Sequence, residues 1–261
     1  MSGTYRTVAP LRIHVALTYL FLYLPLAILI LFSFSGSRYA TVWSGFTFDW
    51  YVKLFGNERI GEAFANSLLV AGGATSIATV LGTAAAFSLS RLRFRGSGAA
   101  QSLLSLPIVL PELVQGIAML LFFALLVRIP LGLITVTIAH SVFGMAYVAM
   151  LVSARLEGLD PQLDEAARDL GASARQTFFR VTLPLIMPGV VGGALLVFTL
   201  SFDDFVIAFF VTGPGASTLP IEIYSMVKRG VTPEINALAT LILSGSIALI
   251  ATGLRLQRRP I

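Results

Sequence analysis

Six apolar stretches, at approximately 13–34, 65–89, 103–127, 131–152, 186–211 and 236–254, run through this 261-residue chain. At about 1.5 Å of rise per residue, each is long enough as a helix to cross a hydrocarbon core of roughly 30 Å. The expected fold class is therefore an all-α integral membrane protein, with six transmembrane helices in a single domain over 1–261. Composition agrees, because a chain that is 56% apolar and only 12% charged carries more apolar residue than a soluble core of this size needs. The first stretch follows Arg6 and Arg12 but is long and has no clear small-x-small cleavage site after it, so it reads as a retained span.

Six spans put both termini on one side of the membrane, and basic residues decide which side. Arg6, Arg12, Arg91, Arg93, Arg95, Arg155, Arg168, Arg175, Arg180, Arg255, Arg258 and Arg259 lie on the side of the termini. Arg38, Lys53, Arg59, Arg128, Lys228 and Arg229 lie on the other. Twelve against six places both termini in the cytoplasm. The net charge of +5 follows from arginines at span ends, so it is not a nucleic-acid footprint.

Several chemistries are excluded by residue type. Cysteine is absent and histidine occurs only as His14 and His140, which starves zinc, iron–sulfur and Cys-nucleophile sites of ligands. Neither Lys53 nor Lys228 follows a glycine, so no phosphate-cradling P-loop exists. The chain is expected to bind no cofactor and to be no enzyme. His140 beside Ser141, within the fourth span, reads as a hydrogen-bonded packing residue. Ala74, Ala78, Gly82 and Ala86, at a four-residue step, mark a face for close helix packing inside the subunit. Trp43, Phe46, Phe48, Trp50, Tyr51 and Phe55 interleave with Asp49 and Lys53 as a short amphipathic segment at the interface.

Between the fourth and fifth spans lies a polar loop, 153–185, too long for a simple turn. Asp160-Pro161 supplies an N-cap and a first-turn proline, and Gly171 supplies a left-handed stop. Asp164 and Arg168 share one surface at i and i+4, while Leu163, Ala166, Ala167 and Leu170 leave a small-residue face. Ser173 can cap a second short helix, which Pro184 and Pro188 are expected to break before the fifth span restarts.

Glu165-Ala166-Ala167, then Gly171 four residues later, then nine residues to Val181-Thr182-Leu183-Pro184, resembles the signature of membrane permeases of bacterial ABC importers. The departure is Val181, where isoleucine is usual. The resemblance implies a type I importer transmembrane domain, MetI-like. It implies that Glu165, Ala166, Ala167, Gly171, Leu183 and Pro184 belong to coupling helices that dock on an ATP-hydrolysing subunit dimer. ATP and Mg would be used there, which fits the missing P-loop. Further implied partners are a second permease subunit, as a distinct chain, and a periplasmic substrate-binding protein. The implied location is the bacterial inner membrane.

Acidic residues inside apolar spans suggest the cargo, since an Asp at a helix centre costs about 2.5–3.5 kcal/mol on insertion scales. Asp203 and Asp204 lie in the fifth span and Glu112 in the third. Neighbours on a helix point about 100° apart, so one Asp faces a pathway and the other a neighbouring helix unless the helix is distorted. Bonds to a neighbouring helix, to Ser201 or to a basic residue at a subunit interface remain the structural alternative. Glu112 follows Pro111, where a restarting helix favours a carboxylate. The segment from Ser201 to Leu243, including Phe202-Asp203-Asp204-Phe205, is similar to the spermidine/putrescine permease group. That resemblance implies a small cationic cargo, with Asp203, Asp204, Phe202, Phe205 and Glu112 as pathway residues. Permeases for opines, amino acids or other amines share much of the pattern. An ion-coupled secondary transporter would also use intramembrane acids, but has no role for the loop. Thr218 and Pro220 start a short helix ended by Gly230, and Thr232-Pro233-Glu234 caps the sixth span.

Overall fold

The computed structural model of the chain describes residues 8–39, 42–91, 95–160 and 162–257, with side chains described from 11 to 248. Arg6, Arg93, Pro161, Arg258 and Arg259, used in the charge count and the loop cap, lie outside the described residues, as does the Arg255 side chain. Among the described residues twelve α-helices follow one another: α1 Val8–Phe32, α2 Asp49–Phe55, α3 Glu58–Arg91, α4 Ser97–Val109, α5 Glu112–Leu121, α6 Leu133–Glu157, α7 Gln162–Asp169, α8 Ala174–Thr177, α9 Leu183–Asp203, α10 Val206–Val211, α11 Leu219–Arg229 and α12 Pro233–Gln257. Among the described residues, β structure is limited to an isolated bridge between Ser35 and Phe46.

Residues 62–222 form one compact unit, centred on α6. Its buried face is built from small and β-branched side chains, which lets α9 cross it closely. A Cβ on Gly144 would lie 2.7 Å from Val197 Cγ1, and one on Gly193 would lie 3.1 Å from the Val148 Cα. The α3 face expected to pack closely does so: Ala74, Ala78 and Ala86 are buried, and a Cβ on Gly82 would lie 2.7 Å from the Met145 carbonyl oxygen. The core has two apolar layers along α6. One gathers Val70, Phe123, Val136, Phe143, Ile207 and Val211, and the other gathers Ala78, Val148, Val152, Leu156, Ile186 and Val197.

Two of the expected spans are broken. The third is bent by 111° between α4 and the run Glu112–Val127, whose last turn, Phe122–Val127, is π-helical. Pro111 causes the bend: it lacks an N–H for the Pro107 carbonyl and drives Leu110 into an extended conformation, ψ 137°. Gln115 Nε2 donates to both the Pro107 and Leu110 carbonyls at 2.9 Å, so the freed acceptors remain satisfied. Pro107 itself stays inside α4. The fifth span, expected over 186–211, stops at Asp203 and restarts at Val206, with Asp204 extended at ψ 123°.

At its other end the fifth span is longer than expected. Pro184 and Pro188 do not separate it from the second loop helix, because α8 runs through a π turn, Phe178–Thr182, directly into α9. Pro184 sits in the first turn of α9, and the wider π turn accommodates its missing donor.

Residues 1–61 and 223–261 form the second unit, described by α1, α2 and α12. The 22-residue apolar run of α1, Leu11–Phe32, buries none of its residues, as suits a helix whose solvent is lipid. Trp50 on α2 is buried and donates Nε1–H to the Ser35 carbonyl at 2.7 Å, while Phe34, Phe46, Phe48 and Tyr51 form an aromatic cluster beside it. Among the described residues, four helices are long and apolar enough to cross a membrane, or five if the bent pair counts as one. The expected six is not reached there: the sixth, 236–254, falls within α12, part of whose side chains lie outside the description.

Candidate functional site

The loop folds as its caps require. The Asp160 carboxylate accepts the Gln162 N–H at 2.9 Å, opening α7. At the far end Gly171 adopts φ +82°, its N–H bonds to the Arg168 carbonyl at 2.8 Å, and Ala172 N–H bonds to the Ala167 carbonyl at 3.0 Å. That pair of bonds is a Schellman stop. Ser173 and Gln176 then exchange side-chain and backbone bonds in a capping box, 3.3 and 2.9 Å, opening α8. Glu165, Ala166, Gly171 and Pro184 are exposed and Ala167 is half-buried. Leu170 is 89% exposed, an unusual cost for a leucine that nothing covers. Leu183 points inward instead, against the apolar layer that contains Val148 and Ile186.

Asp164 does not pair with Arg168 across α7. Its carboxylate lies 2.7 Å from the Arg91 guanidinium at the end of α3, and it accepts from Thr182 at 3.4 Å. Arg91 also lies over Phe87, which packs at 4.7 Å on Phe178 of the π turn. The loop is thus fastened to α3 by one ion pair and one aromatic contact.

The two helix breaks face one cavity of about 310 Å³. Glu112, Asp203, Asp204 and Phe205 line it with Phe143 and Tyr147. Asp203, the last residue of α9, is exposed, and its carboxylate makes no hydrogen bond or ion pair among the described residues. Glu112 opens α5, as expected of a helix-start carboxylate, and also lines this cavity. Phe202 does not line the cavity; it packs against Phe64 at 6.0 Å and Phe198 at 6.2 Å. Toward α7, α4 and α6 border a second cavity of about 640 Å³, lined with Gln101, Ser105, Ser153, Glu157 and Arg91.

Asp204 is the Asp turned to a neighbouring helix. One of its oxygens accepts the Ala208 N–H at 2.8 Å and lies 3.1 Å from His140 Nε2; the other meets the Ile207 N–H at 3.4 Å. The Asp204 side chain is 6% exposed and that of His140 1%. His140 Nδ1 lies 2.7 Å from Ser201 Oγ. A carboxylate only accepts, so Nε2–H donates to Asp204, and in the neutral ring Nδ1 accepts the Ser201 hydroxyl. His140 is a hydrogen-bonded packing residue, as expected, but its partners come from the fifth span. Sequence reasoning missed that link and the Gln115 bridge. The available signal was a large polar side chain inside each of three apolar spans, at Gln115, His140 and Asp204.

A family model described as binding-protein-dependent transport system inner membrane component matches residues 78–259. The chain is 45% identical over 249 residues to the putrescine transport system permease protein PotI of Escherichia coli strain K12, covering 93% of this chain and 88% of that one. It is 40% identical over 243 residues to the spermidine/putrescine transport system permease protein PotC of Haemophilus influenzae, covering 93% and 94%. In fold it is similar to a chain of a bacterial alginate ABC transporter solved with an alginate pentasaccharide-bound periplasmic protein, with a TM-score of 0.74 over 98% of this chain and 96% of that one, at 19% identity. It is also similar to a chain of the MetNI methionine ABC transporter, with a TM-score of 0.59 over 79% and 95%, at 18% identity. The helical architecture expected from the loop signature is the one these importers share.

Proposed function

The chain belongs to the family of binding-protein-dependent transport system inner membrane components, and on that premise we propose that it is the permease subunit of an ABC importer for a small cationic amine, a diamine or polyamine. The unpaired Asp203 carboxylate, in a cavity that also holds Glu112 and aromatic rings, carries the cargo reading. A carboxylate left without a partner in an apolar span is costly, and a cation recovers that cost; the rings add a cation–π contribution. The curated relatives named for putrescine and spermidine support the same cargo class.

The energy is supplied elsewhere. The α7 helix, with Glu165, Ala166 and the half-buried Ala167, and Leu170 just past its end, docks in a groove of an ATP-hydrolysing subunit, which binds ATP and Mg. A second, distinct permease chain completes the pathway, and a periplasmic binding protein delivers the amine. The chain is a multi-pass component of the bacterial inner membrane, with both termini in the cytoplasm. From the Asp203 cavity the amine leaves along the α4–α6 side, past Ser105 and Ser153.

Reconstitution in proteoliposomes with the ATPase, the second permease and the binding protein tests this. Putrescine uptake that requires ATP inside the assembly supports it. Uptake by this chain alone under an ion gradient overturns the importer reading, and ATP-driven uptake of neutral or anionic solutes but not amines overturns the cargo reading.

A further inference from the structure

Two adjacent carboxylates stand at the break between α9 and α10, and both border the cavity. Only one is uncommitted. Asp204 is held from three sides, by His140 Nε2 and by the Ile207 and Ala208 N–H groups, whereas Asp203 has no polar partner among the described residues. The backbone donors belong to α10 and would cap it whichever way α6 presented itself. The His140 bond is different, because it joins the break to another helix, α6, and is itself fixed by Ser201 one turn before the break.

We propose that His140 is a positioning residue for cargo recognition: it commits Asp204 to the helix break, so that Asp203 is the carboxylate presented to the amine. The assignment rests on the amine-importer reading above. Without the imidazole, the Asp204 carboxylate keeps the α10 amides but loses its one side-chain donor, and its charge is left facing the cavity it already borders. Two like charges then share the site, and each disfavours the geometry that the other needs. The cavity would still hold a cation, but no longer with one fixed anchor.

The test uses the reconstituted full assembly and radiolabelled putrescine. His140→Leu fills the imidazole volume without a donor, while His140→Gln retains an N–H₂ for Asp204 and an acceptor for Ser201. Losing one hydrogen bond to a buried charge predicts that His140→Leu raises KM about tenfold with a smaller change in kcat. His140→Gln should keep KM within about twofold of wild type on the same reasoning. On an Asp204→Asn background, His140→Leu should add little, because the two residues act as one unit. A residue that served packing alone would not give the KM-specific effect, the rescue by glutamine and the loss of additivity together.

Equal KM values for the leucine and glutamine variants overturn the assignment, as do independent, multiplying effects of His140→Leu and Asp204→Asn. If His140→Leu fails to accumulate in the membrane, the deciding pair is His140→Gln, which must keep KM, and His140→Ala, which must raise it. Absence of putrescine uptake by the wild-type assembly overturns the cargo reading and this assignment with it. Wild-type uptake with indistinguishable variants overturns this assignment alone.

Discussion

Arg91 at the end of α3 holds the carboxylate of Asp164 on α7 at 2.7 Å, and this ion pair fastens the loop helix to a helix of the transmembrane core. Both partners are partly shielded, with side chains 34% and 17% exposed, so the pair is screened less than a surface bridge. A force applied to α7 is therefore passed to α3 through a charge-assisted bond.

Arg91→Ala should lower thermal stability by about 1 kcal/mol or less, as for other partly exposed pairs. Its larger effect should be on coupling: amine molecules moved per ATP hydrolysed should fall several-fold while hydrolysis continues. Exchanging the charges, Arg91→Asp with Asp164→Arg, should recover part of the ratio. An unchanged ratio in Arg91→Ala would remove the pair from the transmission path.

Gly171→Val should misplace the start of α8, because a β-branched residue at φ +82° costs at least about 1–2 kcal/mol. Gly171→Asn should be milder, since asparagine tolerates the left-handed region. ATPase stimulation in the assembled transporter, at matched membrane levels, ranks the three proteins. Wild-type coupling in the valine variant would refute the docking role of this stop.

Asp203→Asn and Asp204→Asn should fail in different ways. The first should raise KM for diamines and leave the melting temperature near wild type, because the carboxylate has no internal partner to lose. The second removes the charge that accepts from His140 and the α10 amides, at about 1–3 kcal/mol of stability. Parallel uptake kinetics and thermal unfolding separate them, and identical behaviour would contradict the division of labour.

Gln115→Leu should orphan the Pro107 and Leu110 carbonyls at the α4–α5 bend. Each lost hydrogen bond at these partly exposed acceptors costs about 0.5–1.5 kcal/mol, so a modest fall in unfolding temperature is expected. Gln115→Glu, which keeps the length but not the donor, should fall comparably if the amide N–H groups are what matter.

The local features were readable in the sequence because their causes lie within a few residues. Gly171 needs only its φ, Ser173 and Gln176 are three residues apart, and Pro111 imposes its bend on its immediate neighbours. The family resemblance was readable for the same reason, since its signature is the loop. What could not be read were partnerships across the fold: His140 meets Asp204 64 residues away, and Arg91 leaves the α7 surface pair unmade by reaching Asp164 from another helix. The continuity of α8 into α9 was hidden because a π turn leaves no compositional mark, and two prolines argued for a stop. Phe202 was assigned to the pathway by adjacency in sequence, but sits on the aromatic ladder with Phe64 and Phe198.

Beyond the two breaks, α5 and α10 lie against each other so tightly that a single methyl on Gly116 would come within 2.7 Å of the Phe210 ring. With that interlock neither short helix can roll without dragging the other. The pair is keyed to α6 as well, since Ile207 and Val211 of α10 pack with Val136 and Phe143, so a change in the width of the cavity has to pass through the helix that α9 crosses.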